Sequence, residues 1–335
     1  MEPINMKILV IGSNSFSGSN FSNFMLEKGY DVTGISRSRE PNDVFLPYKW
    51  GNKNFQNFKF FQYDLNVHID QITALLEKEQ FEYVINFSAQ GMVAESWKNP
   101  THWYHTNVVS QVALHDSLRK QRSLKRYIHV STPEAYGSSN SGWVKENYNF
   151  SPSTPYAVSR ASCDLHLLSF FNAYDFPVIF TRAANVYGPG QQLYRIIPRA
   201  FLSSRLKRKL PLHGGGGSTR SFIHIRDVIH ATYKVLKDGS PGETYHISTN
   251  EIISIKDLVN MACKITNRPF EDVIEETEER LGKDQSYLLD SSKLRNELNW
   301  TDNISLEDGL IETLEWLDTN IGILKSLPVD YVHKH

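Results

Sequence analysis

The sequence predicts an α/β fold built on a doubly wound parallel sheet. Short, nearly continuous apolar runs alternate with helix-like segments over the first 182 residues, as buried parallel strands and their crossover helices do. The first run, Lys7–Ile11, passes through a glycine turn into a segment with helical spacing of apolar residues, and a second run follows at Asp31–Ile35. This order of strand, turn, helix and strand is a βαβ unit, from which such sheets are built.

The later elements continue this alternation as far as residue 182, after which turn-forming residues become frequent. Further strands are predicted at Phe58–Tyr63, Phe81–Phe87, Leu124–Val130, Val178–Arg182 and Glu243–Ser248. Helices are predicted at Ile69–Lys78, Trp103–Arg119, Tyr156–Tyr174, Ile255–Thr266 and Leu306–Leu317. Residues 183–201 carry Gly188, Pro189, Gly190 and Pro198 and are predicted to form turns, and Glu275–Glu279 is predicted to be an acidic surface run.

Composition excludes several classes of protein. The chain has 335 residues and a net charge of -1, so nothing global indicates a nucleic-acid or anionic-membrane partner. Two cysteines rule out a disulfide framework and suit a reducing compartment. Residues 1–6 are too short for a signal peptide, and no apolar run approaches the roughly 20 residues of a membrane span. We therefore expect a cytoplasmic protein.

The turn after the first strand has the features of a dinucleotide-binding site. It contains Gly12, Ser15, Phe16 and Gly18, with Ser15 where a middle glycine is usual. Such a turn places backbone N–H groups and a helix N-terminus where a pyrophosphate binds. An ordinary strand-to-helix turn is the alternative.

The end of the second strand bears on the choice of cofactor. NAD-selective folds usually place an acid there, whereas this chain has Ser36, Arg37, Ser38 and Arg39. Guanidinium and hydroxyl groups suit a 2′-phosphate. We therefore favour NADP over NAD, with Arg37 as the selecting residue; a solvated basic loop is the alternative.

Other candidate residues follow the later strands of the predicted sheet. Ligands of such sheets bind at the carboxyl ends of the strands, so residues at those ends form one site. Besides the glycine turn and Arg37, these positions hold Asp64 and Leu65 after the third strand, Ser88, Ala89 and Gln90 after the fourth, and Thr132 to Glu134 after the fifth.

The stretch from Tyr127 to Arg160 carries the candidate acid–base groups. Tyr156 and Arg160 are four residues apart, about one helical turn, so they share a helix face. A phenol near a fixed cation is held more easily as a phenolate, and Glu134 supplies a carboxylate at a strand end. An isolated Tyr-x-x-x-Arg would be surface decoration, but this context favours function.

Basic residues concentrate after residue 190. Arg195 and Arg220 lie beside Pro and Gly turns, which favours a phosphate-containing ligand over a merely solvated surface. The 12 histidines show no metal-ligand spacing, and no metal is expected.

These motifs together resemble the extended short-chain dehydrogenase/reductase enzymes that modify nucleotide sugars, and most of all the sugar 4,6-dehydratases. The turn from Gly12 to Gly18 is similar to the family's cofactor turn. "HVSTPEAYG" and "PYAVSRAS" resemble its catalytic strand and helix. "NVYGPGQ", "RSFIHIRD" and "ERLGKDQSYLLDSSKLRNELNW" resemble its substrate-domain motifs.

The resemblance implies a domain division. It implies a Rossmann-type domain over residues 1–184, with the strand near 243–248, and a smaller, partly interleaved C-terminal α/β domain over 185–242 and 249–335. The smaller domain would bind a nucleoside-diphosphate hexose.

The resemblance also implies a role for each site residue. Tyr156 is the base that oxidises the sugar at C4 with NAD(P), and Thr132 hydrogen-bonds the same oxygen. Glu134 removes the C5 proton before water is lost from C6. Asn185 and Arg220 would lie near the diphosphate, with Arg195 and Arg280 as further nucleotide contacts.

Two departures from the family pattern concern the mechanism. Arg160 stands where the family has a Lys that binds the nicotinamide ribose and lowers the Tyr pKa. Arg is permanently charged and carries more donors, so it serves both roles in a different geometry. Pro133 stands where dTDP-glucose dehydratases have an Asp that protonates the leaving group, so Glu134, Thr132 or a water would do so here.

Two alternatives stay open at this stage. One is a nucleotide-sugar 4-epimerase or decarboxylase on the same scaffold, since both begin with oxidation at C4. The other is a non-catalytic NADP-binding protein, against which the retention of Tyr156 and Glu134 argues.

We also expect a homodimer, with Trp97, Trp103 and the helix that follows them forming an apolar face.

Overall fold

The computed structural model describes residues 6–138, 142–278 and 288–333. Its strands are β1 Lys7–Ile11, β2 Asp31–Ser36, β3 Phe58–Gln62, β4 Tyr83–Asn86, β5 Arg126–Val130, β6 Trp143–Val144, β7 Val178–Ala183, β8 Asn185–Tyr187, β9 Leu210–His213, β10 Thr219–Arg220, β11 Phe222–His224, β12 Thr244–Ile247, β13 Ile253–Ser254, β14 Ile274–Thr277 and β15 Leu288–Leu289.

The helices surround these strands. They are α1 Phe16–Glu27, α2 Ile69–Glu79, α3 Val93–Ser96, α4 Pro100–Tyr104, α5 Ser110–Leu118, α6 Pro155–Tyr174, α7 Ile196–Leu206, α8 Ile225–Asp238, α9 Ile255–Ile265, α10 Phe270–Val273, α11 Ser292–Leu298 and α12 Leu306–Leu324. None of the helices in the described residues is long and apolar enough to cross a membrane.

Seven strands form one parallel sheet in the order β12-β7-β5-β4-β1-β2-β3. The predicted doubly wound sheet is confirmed, and each of its strands lies within two residues of its predicted bounds. The predicted strand near residues 243–248 is β12, which pairs with β7 at one edge. The division of the chain into two domains stays a prediction.

Both faces of the large sheet are buried, which explains why its strands read as continuous apolar runs. In β1, Ile8 and Val10 face α1 and α8, while Leu9 and Ile11 face the opposite layer, which includes α2, α5 and α6. All four side chains are buried because alternate residues of a strand point to opposite faces.

A second core lies in the part of the chain that follows β7. It is formed mainly by α7, α9 and α12, and its fully buried members include Phe201, Val259, Leu310 and Leu317. Two-stranded pairs such as β8 with β11 and β9 with β14 border this core. This part of the chain, which we call the substrate half after its predicted role, thus contains both strands and helices.

The turns predicted over residues 183–201 are only partly present. Gly188 and Gly190 do form turns with positive φ, but β8 precedes them and α7 begins at Ile196. Pro198 lies in the first turn of α7, where a missing N–H costs little, so this proline does not break the helix.

Three other elements differ from the sequence prediction. The helix α8 was not predicted, although Val228, Ile229, Val235 and Leu236 have helical spacing and pack against the sheet. The acidic run near Glu275 is exposed as expected, but it includes the strand β14, which pairs with β9. The last predicted helix continues seven residues further, to Leu324.

The segment from Trp97 to Leu118 is not one apolar dimer face. The helix is interrupted by a π-helical turn at His105–Val109, where the backbone bulges between α4 and α5. Trp103 is fully buried, whereas Trp97 is 52% exposed. The pairing of these two tryptophans in one exposed face is therefore wrong.

One close contact joins α12 to β8 and gives a stability test. A Cβ added at Gly309 would lie 2.2 Å from the hydroxyl of Tyr187, a rigid side chain that is 1% exposed. We expect Gly309→Ala to lower the free energy of unfolding by about 1–3 kcal/mol, since overpacking forces neighbours to shift. Urea denaturation followed by circular dichroism measures this loss.

Gly322→Ala on the same helix is the matched control. No atom lies within 4 Å of the added Cβ, so we expect a gain of about 0.4–1 kcal/mol from the reduced freedom of the unfolded chain. Equal effects of the two substitutions would contradict the close packing of α12 on Tyr187.

Candidate active site

The glycine turn between β1 and α1 brings backbone very close to backbone. Gly12 has φ +81°, and a Cβ there would lie 2.9 Å from the amide nitrogen of Ser88. A Cβ on Gly18 would lie 2.2 Å from the carbonyl oxygen of Gly12. Ser15 caps α1, because its Oγ accepts a hydrogen bond from the Gly18 N–H at 3.1 Å. A serine therefore serves as a helix cap where a glycine is usual.

The end of β2 is tied to this turn. The Asn14 N–H donates to Ser36 Oγ at 2.9 Å, and Asn14 Nδ2 donates to the Ser38 carbonyl at 2.9 Å. Arg37 lies between these two anchored residues and lines the cavity described below. The turn and the basic strand end thus form one surface.

The loop after β4 is fastened to α6 by Asn107. The Gln90 N–H donates to Asn107 Oδ1 at 2.8 Å, and Asn107 Nδ2 donates to the Gln90 carbonyl and to Ser159 Oγ. Ser88 is held by Asn86, whose Oδ1 accepts from both the Ser88 N–H and its hydroxyl. These bonds hold Ser88 and Gln90 on either side of Ala89, and Ala89 and Gln90 line the cavity described below.

A cavity of about 800 Å³ opens at this edge of the sheet. It lies between the dinucleotide-binding elements and the second core. Its lining includes these residues predicted from the sequence: Ser15, Phe16, Arg37, Ala89, Gln90, Thr132, Glu134, Tyr156, Arg160, Asn185, Arg195 and Arg220.

Several predicted residues do not line the cavity. Gly12, Gly18 and Ser88 shape the turn behind it. Asp64 accepts a hydrogen bond from the Asn66 N–H at 2.9 Å, which forms a local turn, and Leu65 is buried. Arg280 lies outside the described residues. The roles of all these residues stay predictions.

Tyr156 lies at the start of α6 beside two groups at the end of β5. The Thr132 hydroxyl is within hydrogen-bonding reach of the phenol, and Glu134 is close enough to act on it electrostatically. Thr132 Oγ1 also accepts from the Glu134 N–H at 3.3 Å, and Pro133 between them is the first residue of a 3₁₀ turn. Thr132 and Glu134 therefore share one short loop beside the phenol.

The pKa of Tyr156 is raised above its ordinary value. Burial is the largest cause, because it disfavours the phenolate, and the negative charge of Glu134 adds to it. The Arg160 guanidinium and the Thr132 hydrogen bond lower the pKa but do not outweigh these effects. The charge of Arg160 thus lowers the pKa of Tyr156 without restoring its ordinary value, and the role of Arg160 toward the cofactor stays a prediction.

Arg160 is almost fully buried at the floor of the cavity. One Nη2 donates to the Val130 carbonyl and to His129 Nε2, the latter at 3.2 Å. Its Nε and Nη1 have no hydrogen-bond partner among the described residues. Buried, unpaired donors in the same cavity as Ser15 and Phe16 of the glycine turn suit a ligand rich in oxygen, so the residues present fit a nicotinamide dinucleotide.

A buried ionic network lies beneath the cavity and was not predicted. Asp164 is fully buried and accepts hydrogen bonds from Arg182 at 2.8 Å and Ser131 at 2.6 Å. His129 Nε2 lies 3.4 Å from its other carboxylate oxygen. Asp164 falls four residues after Arg160 and eight after Tyr156, so its place on the same helix face was readable from the sequence.

Three possible metal ligands also meet here, although their spacing along the chain did not indicate it. Ligand atoms of His115, His129 and Cys163 lie within 4.8 Å of one another. Burial lowers the pKa of both histidines and raises the pKa of Cys163 to about 12. The adjacent Arg160 guanidinium disfavours a cation, and we assign no metal to this cluster.

The fold and the cavity are those of the extended short-chain dehydrogenase/reductase class. The chain belongs to the GDP-mannose 4,6 dehydratase family, whose model matches residues 9–313. The resemblance read from the motifs is therefore confirmed.

Individual relatives agree with this family. The human dTDP-D-glucose 4,6-dehydratase is 34% identical over 96% of this chain and 92% of its own length. A dTDP-glucose 4,6-dehydratase of Bacillus anthracis, solved in complex with NAD, superposes with a TM-score of 0.85 at 29% identity, covering 96% of this chain and 99% of its own. A UDP-glucose 4-epimerase of Thermotoga maritima also reaches 0.85, at 25% identity over 94% of this chain and 100% of its own. Overall shape therefore does not separate the two activities.

Some relatives are much longer than this chain. It spans 47% of the length of three trifunctional UDP-glucose 4,6-dehydratase proteins from Arabidopsis thaliana, which are 30% identical over 93% of the chain. In those proteins the region matched here is about half of the whole.

The buried ionic network gives a stability prediction. Asp164→Asn keeps the shape of the side chain but removes the charge that faces Arg182. We expect the free energy of unfolding to fall by about 3–5 kcal/mol, because a buried guanidinium then lacks its counter-charge. Urea denaturation at neutral pH measures the change.

Asp318→Asn is the control for charge removal as such. Asp318 pairs with Arg205 at 2.6 Å, but both side chains are partly exposed. We expect a loss of at most about 1 kcal/mol, as for other surface pairs. A similar loss in both variants would mean that the Asp164 network does not depend on its charge.

Proposed function

We propose that this protein is a nucleoside-diphosphate-sugar 4,6-dehydratase. The observation that carries the proposal is the meeting of Tyr156, Thr132 and Glu134 at one cavity that also holds the dinucleotide-binding turn. A 4-epimerase needs the first two groups, whereas removal of a C5 proton calls for a carboxylate as well.

In the proposed reaction the bound nicotinamide supplies a hydride acceptor that later returns the hydride. Tyr156 takes the proton of the sugar 4-hydroxyl, and Thr132 hydrogen-bonds the same oxygen. The resulting 4-keto group acidifies the C5 proton, which Glu134 removes. The C6 hydroxyl then leaves as water. C6 would accept the hydride, and C5 would accept a proton from solvent that replaces the one lost from the 4-hydroxyl, so there is no net oxidation.

Pro133 has no proton to give, so the leaving hydroxyl needs another donor. Glu134 is placed for this task, since it holds a proton once it has taken the one from C5. It lies directly after Pro133 and lines the cavity. One carboxyl group would therefore act first as a base and then as an acid.

The basic residues across the cavity are proposed to bind the nucleoside diphosphate. Arg195, Arg220 and Asn185 line the side formed by the substrate half. Relatives named for UDP-glucose and dTDP-glucose favour a hexose linked to a pyrimidine nucleotide as the substrate. Guanidinium groups are well suited to diphosphate oxygens.

We further propose that the cofactor is NADP, selected by Arg37. Ser36 holds the turn through Asn14, and Arg37 follows it on the cavity surface. Related dTDP-glucose 4,6-dehydratases were solved with NAD, so this preference would distinguish the present chain from those proteins.

A homodimer is proposed as well. Val109, in the π-helical turn, is 58% exposed, and Leu165 on α6 is 51% exposed. Exposed apolar side chains of this size on neighbouring helices suit a contact with a second copy.

The substitution Glu134→Gln tests the reaction. With UDP-glucose or dTDP-glucose in D₂O, the wild type should form a 4-keto-6-deoxy product that carries deuterium at C5. The variant should lose this product by about a hundredfold or more, because its C5 base is gone. Mass spectrometry for loss of water and NMR at C5 measure both results; isomeric products alone would favour the epimerase.

The same variant should keep the first oxidation and shift its pH dependence. Removing the Glu134 charge lowers the pKa of Tyr156, so the phenolate forms at lower pH. Transient reduction of the nicotinamide, followed by absorbance in single turnovers, should therefore persist to lower pH than in the wild type. Tyr156→Phe is the control, and it should abolish this signal at every pH.

Cofactor choice is tested by Arg37→Ala. We expect NADP binding to weaken by about tenfold or more, since a charge-assisted contact to phosphate is lost, while NAD binding changes little. Titration calorimetry with both dinucleotides measures this. Arg39→Ala, which alters an exposed residue that does not line the cavity, should bind as the wild type does. Unchanged NADP binding in Arg37→Ala would refute the selection.

A further inference from the structure

Residues 327–333, which we call the strap, leave the end of α12 and cross from the substrate half to the dinucleotide-binding half. At the start of the strap, Leu327 and Val329 pack against the second core. Asp330 then pairs with Arg199 of α7 at 3.0 Å. The first part of the strap is therefore fastened to the substrate half.

The other end of the strap is fastened to α4. The His333 ring stacks on Trp103 with centroids 5.1 Å apart and on His102 at 5.4 Å, both nearly parallel. His333 Nε2 lies 3.1 Å from His102 Nδ1. Because Trp103 is fully buried, this contact is a packed one rather than a passing surface approach.

Between these anchors, Tyr331 faces the cavity and is part of its lining. Its hydroxyl lies 3.5 Å from Gln90 Oε1, at the loop after β4. Its ring meets Tyr194 edge-on, with centroids 5.4 Å apart. Arg37 and Arg195 line the same cavity. Burial raises the pKa of Tyr331, and these two guanidiniums partly offset the rise.

We propose that the strap is a wall of the dinucleotide site and that Tyr331 is a binding residue for the cofactor. Gln90 follows β4 and Arg37 follows β2, and the carboxyl ends of these strands are where a dinucleotide lies in such a sheet. The phenol offers a donor and an apolar ring at that place. This inference rests on the dinucleotide part of the proposed function, not on the dehydration step.

The contacts at both ends of the strap are expected to slow dinucleotide release. The strap joins both halves of the molecule, so a dinucleotide held behind it leaves only after these contacts loosen. Contacts that a ligand breaks on leaving mainly set its dissociation rate. His333 is then a positioning residue, which touches no ligand but holds Tyr331 in place.

The experiment compares Tyr331→Ala with Val332→Ala, since Val332 is 65% exposed and does not line the cavity. Binding of NAD and NADP to the full chain is measured by calorimetry, and release of the reduced forms by stopped-flow fluorescence. We expect Tyr331→Ala to raise Kd about tenfold, mostly through faster release, and Val332→Ala to leave both unchanged. His333→Ala should also speed release, by a smaller factor.

Thermal unfolding of each variant shows whether the fold is kept, and Tyr331→Phe keeps the ring if the alanine variant fails to fold. Because Tyr331→Phe removes only the hydroxyl group, faster dinucleotide release from this variant would show that the hydroxyl contributes to cofactor binding and would support the proposal. Dinucleotide binding within twofold of the wild type in all Tyr331 variants overturns it. Weaker binding of UDP or dTDP with unchanged dinucleotide binding overturns it too, because Tyr331 would then serve the other ligand.

These measurements need no sugar turnover. A protein that binds dinucleotide through Tyr331 but dehydrates no nucleotide sugar contradicts the proposed activity and leaves the strap assignment intact. If the protein dehydrates a nucleotide sugar but Tyr331→Ala leaves dinucleotide release unchanged, the proposed activity is supported and the strap assignment is contradicted.

Discussion

The geometry of the site depends on the hydrogen bonds and the ion pair that the buried Asp164 carboxylate makes. The carboxylate is buried on α6 and joins that helix to Arg182 of β7 and to Ser131 after β5. Both strands and the helix are thereby fixed relative to one another. Tyr156 and Arg160 lie on the same helix face, so their distance from Thr132 and Glu134 follows from this bond network. A buried charge is costly unless it is paired, so the loss of either Asp164 or Arg182 would leave the other as an unpaired buried charge.

Local patterns in the sequence were enough to predict the sheet but not what lies beneath its edge. The continuous apolar runs predicted each strand of the large sheet, because burial on both faces leaves a direct trace in composition. The glycine turn and the strand-end residues predicted part of the cavity lining, because the carboxyl ends of parallel strands meet at one edge of the sheet. The pairing of Asp164 with Arg182 spans 18 residues and depends on side-chain directions, which no local pattern encodes. Likewise, the sequence predicts Trp103 in an exposed dimer face, whereas it is buried and stacks on the distant His333.

In the loop from Thr132 to Glu134, the need for a carboxylate near the substrate conflicts with the need for a low pKa at Tyr156. An oxidation base works best when its pKa is low, yet a carboxylate for the second step must lie close by. In this structure the nearby anion raises the pKa of Tyr156, and Arg160 only partly offsets the rise. A substrate and cofactor that carry polar groups into the cavity, or a proton on Glu134, would change that balance. In the proposed reaction the two steps would thus be coupled electrostatically, because Tyr156 and Glu134 lie close enough for the charge of one to act on the other.

The pairing of β12 with β7 has a consequence for how the chain folds. The edge strand of the large sheet is supplied by residues 244–247, after β8, β9, β10, β11, α7 and α8 have intervened. During synthesis the sheet stays open at β7 until this distant strand emerges. A fragment that stops near residue 184 would present an unpaired edge, a template for association with other chains. The long separation between partners also slows folding relative to a sheet closed by neighbouring segments, so the two halves are expected to fold as one cooperative unit.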